Sequence, residues 1–252
     1  MPKFVTDFGA LLVSTIWVIR TQGPSQIQFW LIALIVGILA GTAAVVFRTA
    51  INFFQATVYQ TPEILQVDLP WYLLILIPAL GGLAVGLIMD RYSSDGRVRA
   101  VADVIEGSAL KEGRVETREG IASVFSSLIT LSTGGSTGRE GPVVHLAGVI
   151  STRFANLIRA DGVTGRELLG CAVAAAVSAS FNAPIAGAIF ALEVILRHMA
   201  VHAFAPIVIA SVAGTVVGHL TFGNVTEFTL TPATELAFYM ELPAFLILGL
   251  VC

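Results

Sequence analysis

Charge is what this chain has least of. Asp, Glu, Lys and Arg make up 12% of its 252 residues, where ordinary soluble domains carry about 25%. The balance is apolar, with 56% hydrophobic residues and a mean hydropathy of +0.85. A net charge of −3 leaves no basic field, which excludes nucleic acid as a partner. Cysteine is scarce too. Cys171 and Cys252 are too few for a disulfide framework. Cys171 lies in Gly170-Cys171-Ala172-Val173-Ala174 and reads as a small buried residue. No Gly-Lys-Ser/Thr follows the glycine-rich stretches, so a nucleotide phosphate loop is excluded. No small-residue cleavage site follows Arg20, so the first residues do not read as a cleavable signal. Residues 1–24 read instead as an amphipathic or peripheral helix at a membrane surface, and 25–252 as a transmembrane region. The composition predicts an all-α polytopic membrane protein with the lipid bilayer as its solvent.

Hydropathy divides the chain unevenly. Ile27 to Phe47 is a run of about 21 residues, enough to cross a bilayer at about 1.5 Å per residue. Gly37, Gly41 and the alanines around them give it a face for close helix packing. Trp71 to Met89 reads as a second span. The loop between the two holds Glu63 and Asp68 and no Lys or Arg. Arg91, Arg97, Arg99, Lys111, Arg114 and Arg118 follow the second span, which puts the 90–118 region on the cytoplasmic side. Beyond it the runs shorten. Ile121 to Leu131, Val143 to Val149, Leu168 to Ala179 and Ile185 to Leu196 all fall below the roughly 20 residues a span needs. Phe181-Asn182-Ala183-Pro184 punctuates the last two. Short apolar segments broken by Gly and Pro predict tilted, broken or re-entrant helices, which survive at membrane depth only where they are buried or line a polar cavity. Ala203 to Val217 is a further apolar run. Pro243 to Cys252 is still apolar at its end, so the chain reads as truncated within a helix.

One stretch concentrates the chemistry. Gly134-Gly135-Ser136-Thr137-Gly138-Arg139-Glu140-Gly141-Pro142 lies between apolar segments. Its glycines bare the backbone, and Pro142 suits the first turn of a helix. Unpaired N–H groups at a helix start favour anions, and Glu140 is a tethered anion beside them. An anion pathway with a gate is the function this predicts. The competing reading of Glu140 is a permanent ion pair with Arg139 or Arg118. Gly134 to Gly138 also matches G-x-S-x-G, the pattern of a serine hydrolase elbow. That reading needs a strand before Ser136 and one of His145, His198, His202 or His219 as base. A non-transporting scaffold or sensor is the third class. Glu193, near the end of a short apolar helix, either faces an aqueous mouth as part of a proton pathway or pairs with Arg197.

Gly138-Arg139-Glu140-Gly141-Pro142-Val143 resembles the signature of the CLC family of chloride channels and chloride/proton antiporters. Phe181-Asn182-Ala183-Pro184-Ile185-Ala186-Gly187, then Ile189-Phe190-Ala191-Leu192-Glu193, resembles that family's next characteristic block. The resemblance runs from about residue 27 to the end. It implies the first half of an inverted-repeat fold, a homodimer, the bacterial inner membrane, no enzyme activity and no cofactor. It makes Glu140 the gating glutamate, with Arg139, Glu140 and Gly141 around the outer site of a bound chloride or similar anion. Two departures stand out. Where the family's Gly-Ser-Gly-Ile/Val-Pro-Glu motif is expected, this chain reads Val98-Arg99-Ala100-Val101-Ala102-Asp103. Arg99 therefore replaces the anion-coordinating serine. It either binds an anion through its guanidinium fork or is one more cytoplasmic positive charge. Val194 stands where many antiporters of the family carry an inner proton-accepting glutamate, which predicts weak or absent proton coupling.

Overall fold

The computed structural model describes residues 23–60, 70–198, 201–223 and 238–251. Nine α-helices make up the described residues, with no strand among them. They are α1 (Gln26–Gln55), α2 (Trp71–Tyr92), α3 (Val101–Leu110), α4 (Thr117–Ser132), α5 (Glu140–Ile158), α6 (Gly162–Phe181), α7 (Pro184–Phe190), α8 (Val201–Phe222) and α9 (Phe238–Val251). The expected peripheral helix over 1–24 lies outside the described residues, apart from 23 and 24, which are irregular.

Ser25 starts α1. Its hydroxyl accepts the Gln28 N–H while Gln28 reaches back to the Ser25 N–H, so two orphan donors are satisfied. The helix then runs 30 residues and closes in a π-turn, Ala56–Gln60. That is longer than the 27–47 run, because a helix continues past its apolar window while its termini reach water. Gln26–Tyr59, Tyr72–Tyr92 and Val201–Phe222 are long and apolar enough to cross a bilayer.

The core is held by small residues. A Cβ on Gly37 would sit 2.8 Å from the Ala210 Cα, and one on Gly41 would sit 2.8 Å from the Gly214 Cα. So α1 and α8 cross at backbone contact, as the glycine face of α1 predicts. On its other side, Gly214 presses on the Ala175 carbonyl of α6, and Gly218 meets the Ala179 carbonyl at 2.9 Å from its would-be Cβ. Leu168, Leu169, Cys171 and the alanines from Ala172 to Ala176 are almost fully enclosed. Gly187 of α7 packs against Ser178, whose hydroxyl bonds the Ala174 carbonyl and Ser211 of α8.

Two helices extend beyond what hydropathy marks. The 168–179 run is the apolar part of a longer helix, α6, of 20 residues, which is still not among those long and apolar enough to cross. Asp161 caps it by accepting the Thr164 N–H at 2.8 Å, and its first turns carry the polar Arg166 and Glu167 that end the hydropathy window. Within the 90–118 region a helix forms, α3, started by Asp103, whose carboxylate accepts the Ala100 N–H at 2.7 Å. The short segments hold at α7. Asn182 adopts the left-handed conformation (φ 55°, ψ 37°), which ends α6, and Pro184 opens α7 at once. α7 finishes as a π-helical stretch, Ala191–Leu196, stopped by Arg197 at φ 57°.

Candidate anion site

α5 begins at Glu140, with Arg139 as its N-cap, so Pro142 is its third residue rather than its opener. The first intrahelical bond is Val143 N–H to the Arg139 carbonyl, at 3.4 Å. No side chain caps the start. Pro142 has no N–H to lose, which leaves the N–H groups of Glu140 and Gly141 bare. The Glu140 carboxylate is exposed and folds back on Gly138, where a Cβ would lie 2.6 Å from Oε2. Any side chain at 138 would evict it.

One stripe of α5 fixes the direction of this end. Gly141, His145, Gly148 and Thr152 share a face. A Cβ on Gly141 would lie 3.7 Å from the Cα of Ala100, the N-cap of α3. His145 packs on Gly120 of α4, and Gly148 on Val115. The Thr152 hydroxyl accepts the buried Val115 N–H at 2.9 Å. The starts of α3 and α5 therefore converge at Ala100 and Gly141, bringing two positive dipole ends to one place. Arg139 closes the other side, its guanidinium 5.7 Å from the Phe181 ring centroid. The two sequence blocks separated by some forty residues thus meet at the start of α5.

Arg99 points elsewhere. Its guanidinium is mostly buried, at 13% exposed, and pairs with Asp95 and Asp103 at 3.2 Å each and with Glu119. Arg97 adds bonds of 2.7 Å to Asp95 and Asp103. Partial desolvation works against the Asp95 charge, but hydrogen bonds from Ser93 and Arg97 outweigh it and lower its pKa to about 2. Desolvation of Arg99 is likewise outweighed by Glu119 and Asp103, which raise its pKa. The arginine is a clasp between the α2–α3 connection and α4. This network was not foreseen; the signal available was three acids spaced around two arginines between 95 and 119. Glu193 is exposed on the π-helical end of α7, while Val194 packs toward the core. No strand precedes Ser136, so the hydrolase elbow lacks its platform. No group of three or more potential metal ligands occurs among the described residues.

The folded class is an all-helical integral membrane protein with two helix starts converging beside a carboxylate. The family described as voltage gated chloride channel matches residues 81–252, and the chain belongs to this CLC family. It is 30% identical over 200 residues to the voltage-gated ClC-type chloride channel ClcB of Escherichia coli O139:H28, covering 75% of this chain and 46% of that protein. It is 26% identical over 251 residues to the chloride channel protein CLC-f of Arabidopsis thaliana, covering 93% of this chain and 31% of that one. The crystal structure of a CLC-type fluoride/proton antiporter superposes with a TM-score of 0.66 at 25% identity, over 88% of this chain and 54% of that one. The chain thus spans about half or less of the length of these relatives.

Proposed function

We propose that this chain carries part of a transmembrane path for small inorganic anions, chloride first among them, and that Glu140 is its gate. The observation that carries this reading is the uncapped start of α5. The bare N–H groups of Glu140 and Gly141 converge with the start of α3 while a carboxylate on the same turn competes for them. Arg139 contributes through the backbone of the N-cap. Arg99 acts by holding the α3 start in place, since its guanidinium is already committed to three carboxylates. The protein works as a homodimer without cofactor. A bacterial inner membrane is its proposed location, supported by the Escherichia coli relative, although the family also occurs in a plant.

The test is chloride flux from proteoliposomes holding the complete gene product. Glu140→Gln keeps shape and removes charge, so flux should persist and lose its pH dependence. A mutant with the wild-type pH response would sink Glu140 as gate. Proton-coupled exchange is the second reading, favoured by the likeness to a fluoride/proton antiporter and opposed by Val194. An imposed chloride gradient with internal pH recorded separates the two. Uphill proton movement at fixed stoichiometry supports exchange, and Glu193→Gln then tests Glu193 as the proton acceptor.

A further inference from the structure

One buried titratable group has no place in the path described so far. His145 is 1% exposed, and neither Nδ1 nor Nε2 has a hydrogen-bond partner. The ring is held against Gly120, where a Cβ would overlap Nε2. Buried polar atoms without partners are rare. This ring also lines a partly open cavity of about 60 Å³, room for about four waters on the measure that one water needs 10–15 Å³.

The other walls of the cavity are charged. Arg99, Lys111 and Arg114 face Asp103, Glu106 and Glu116 across it. Every cation among them is paired, and Arg99 and Arg114 also bond Asp95, Glu119 and Glu112 beyond the wall. Lys111 lies 3.7 Å from Glu106 and 3.5 Å from Glu116, and Arg99 bonds Asp103. Arg114 is held by Glu112 at 2.9 Å and by the Ala160 carbonyl at 3.0 Å. Lys111, Glu106 and Glu116 are themselves about half exposed or more, so the cavity reaches solvent through groups able to relay a proton. An anion would find no uncommitted cation here. A proton would find a buried imidazole with no side-chain partner, its ring beside the Glu116 and Ala100 backbone.

His145 is four residues past Gly141, one turn along the face that meets Ala100. It is five residues past Glu140, about 7.5 Å along the axis. We propose that His145 is a proton-binding site, reached through this cavity from the arginine-rich end, and that its charge sets how tightly an anion is held at the start of α5. The proposal rests on the anion reading of that helix start. It supplies a titratable group on this side of the path, where Val194 has none. With every cation of the wall already paired, a proton on His145 adds a positive charge below the α5 start.

The experiment uses the complete gene product carrying Glu140→Gln, so that the gate no longer titrates. Chloride affinity is measured by calorimetry at pH 5.5 and pH 8.0. Binding should be about thirtyfold tighter at the lower pH, the order expected from one charge some 8 Å away at an effective dielectric near 20. Adding His145→Gln should flatten that dependence. In parallel, ¹⁵N ring shifts of labelled histidine in the Glu140→Gln protein should show one resonance, absent from the double mutant, that moves from its neutral to its protonated position as pH is lowered. Persistence of the pH dependence in the double mutant overturns the proposal. So does a His145 resonance that stays neutral throughout. If His145→Gln fails to fold, His145→Asn replaces it in both measurements. If Glu140→Gln binds no chloride at either pH, the anion reading fails, and the ring titration alone decides whether His145 takes up a proton.

Discussion

Two regions of this molecule are assembled on opposite terms. Where α1, α6 and α8 meet, the contacts are backbone against backbone. Gly37, Gly41 and Gly214 stand where a single Cβ would overlap a neighbouring helix. Where α3, α4 and α5 meet, the contacts are charges and hydroxyls: Arg99 among Asp95, Asp103 and Glu119, Thr152 on Val115, His145 over a cavity. Lipid supplies no hydrophobic force between helices, so the first region gains its cohesion from close approach. The second lies beside aqueous solvent and uses directed polar bonds. Volume should therefore decide the fate of mutants in one region and charge in the other.

The largest expected effect breaks the first region. Gly214→Leu drives a side chain into the Ala175 backbone, which has no rotamer to yield. It should cost about 3 kcal/mol or more, the upper end for overpacking, seen as a lower unfolding midpoint in detergent and poor yield. Gly82, with nothing within 4 Å of its would-be Cβ, is the control. Gly82→Ala should be neutral or slightly stabilising. Equal losses at the two glycines would erase the contrast.

Next comes the clasp. Arg99→Met keeps most of the volume and leaves Asp95, Asp103 and Glu119 facing one another. The pairs are 10–41% exposed on the acid side. The cost should therefore lie between that of a surface pair and a buried one, about 2 kcal/mol. Thermal melts at low and high salt check it, since the loss should shrink as salt screens the acids. A loss indifferent to salt would mean Arg99 acts by packing.

Asp161 stands where the regions join, capping α6 before it enters the small-residue core. Asp161→Ala should cost about 1 kcal/mol by chemical denaturation, as for other N-caps. The smallest effect is on pH. The pKa of Asp95 is lowered to about 2 from 3.8. A depressed folded value means its contribution is complete above 3.8 and is lost as pH falls from there toward 2. Wild type and Asp95→Asn should therefore differ most in melting temperature above pH 4 and converge below pH 3. A gap that widens toward acid would reverse the sign of this assignment.

Much of the small-residue region was legible, because Gly37 and Gly41 at one-turn spacing state a close crossing by themselves. The punctuation at Phe181 to Pro184 was legible for the same reason: Asn in the left-handed region and Pro at a first turn are local chemistry. The length of α6 was not, since hydropathy stops at Arg166 and Glu167 while the helix starts at its Asp161 cap. α3 was hidden too. Its ten residues lie in a stretch whose arginines dominate the count, and only Asp103 on the Ala100 N–H announces it.

By itself the sequence determined that the chain is helical and lives in a bilayer, because composition and hydropathy act residue by residue. It also determined that Glu140 stands among bared N–H groups, since glycine, proline and a carboxylate within five positions need no distant partner. Tertiary structure alone decided which of two fates Arg99 meets. An arginine at that position reads equally as an anion ligand or a free cytoplasmic charge, and the arrival of Glu119 from α4 beside Asp95 and Asp103 commits its guanidinium to carboxylates. The same holds for His145, whose ring is buried because α3, α4 and their connection close around it. Pairing and burial depend on residues far apart in the chain, and the order of the amino acids does not state which of them will meet.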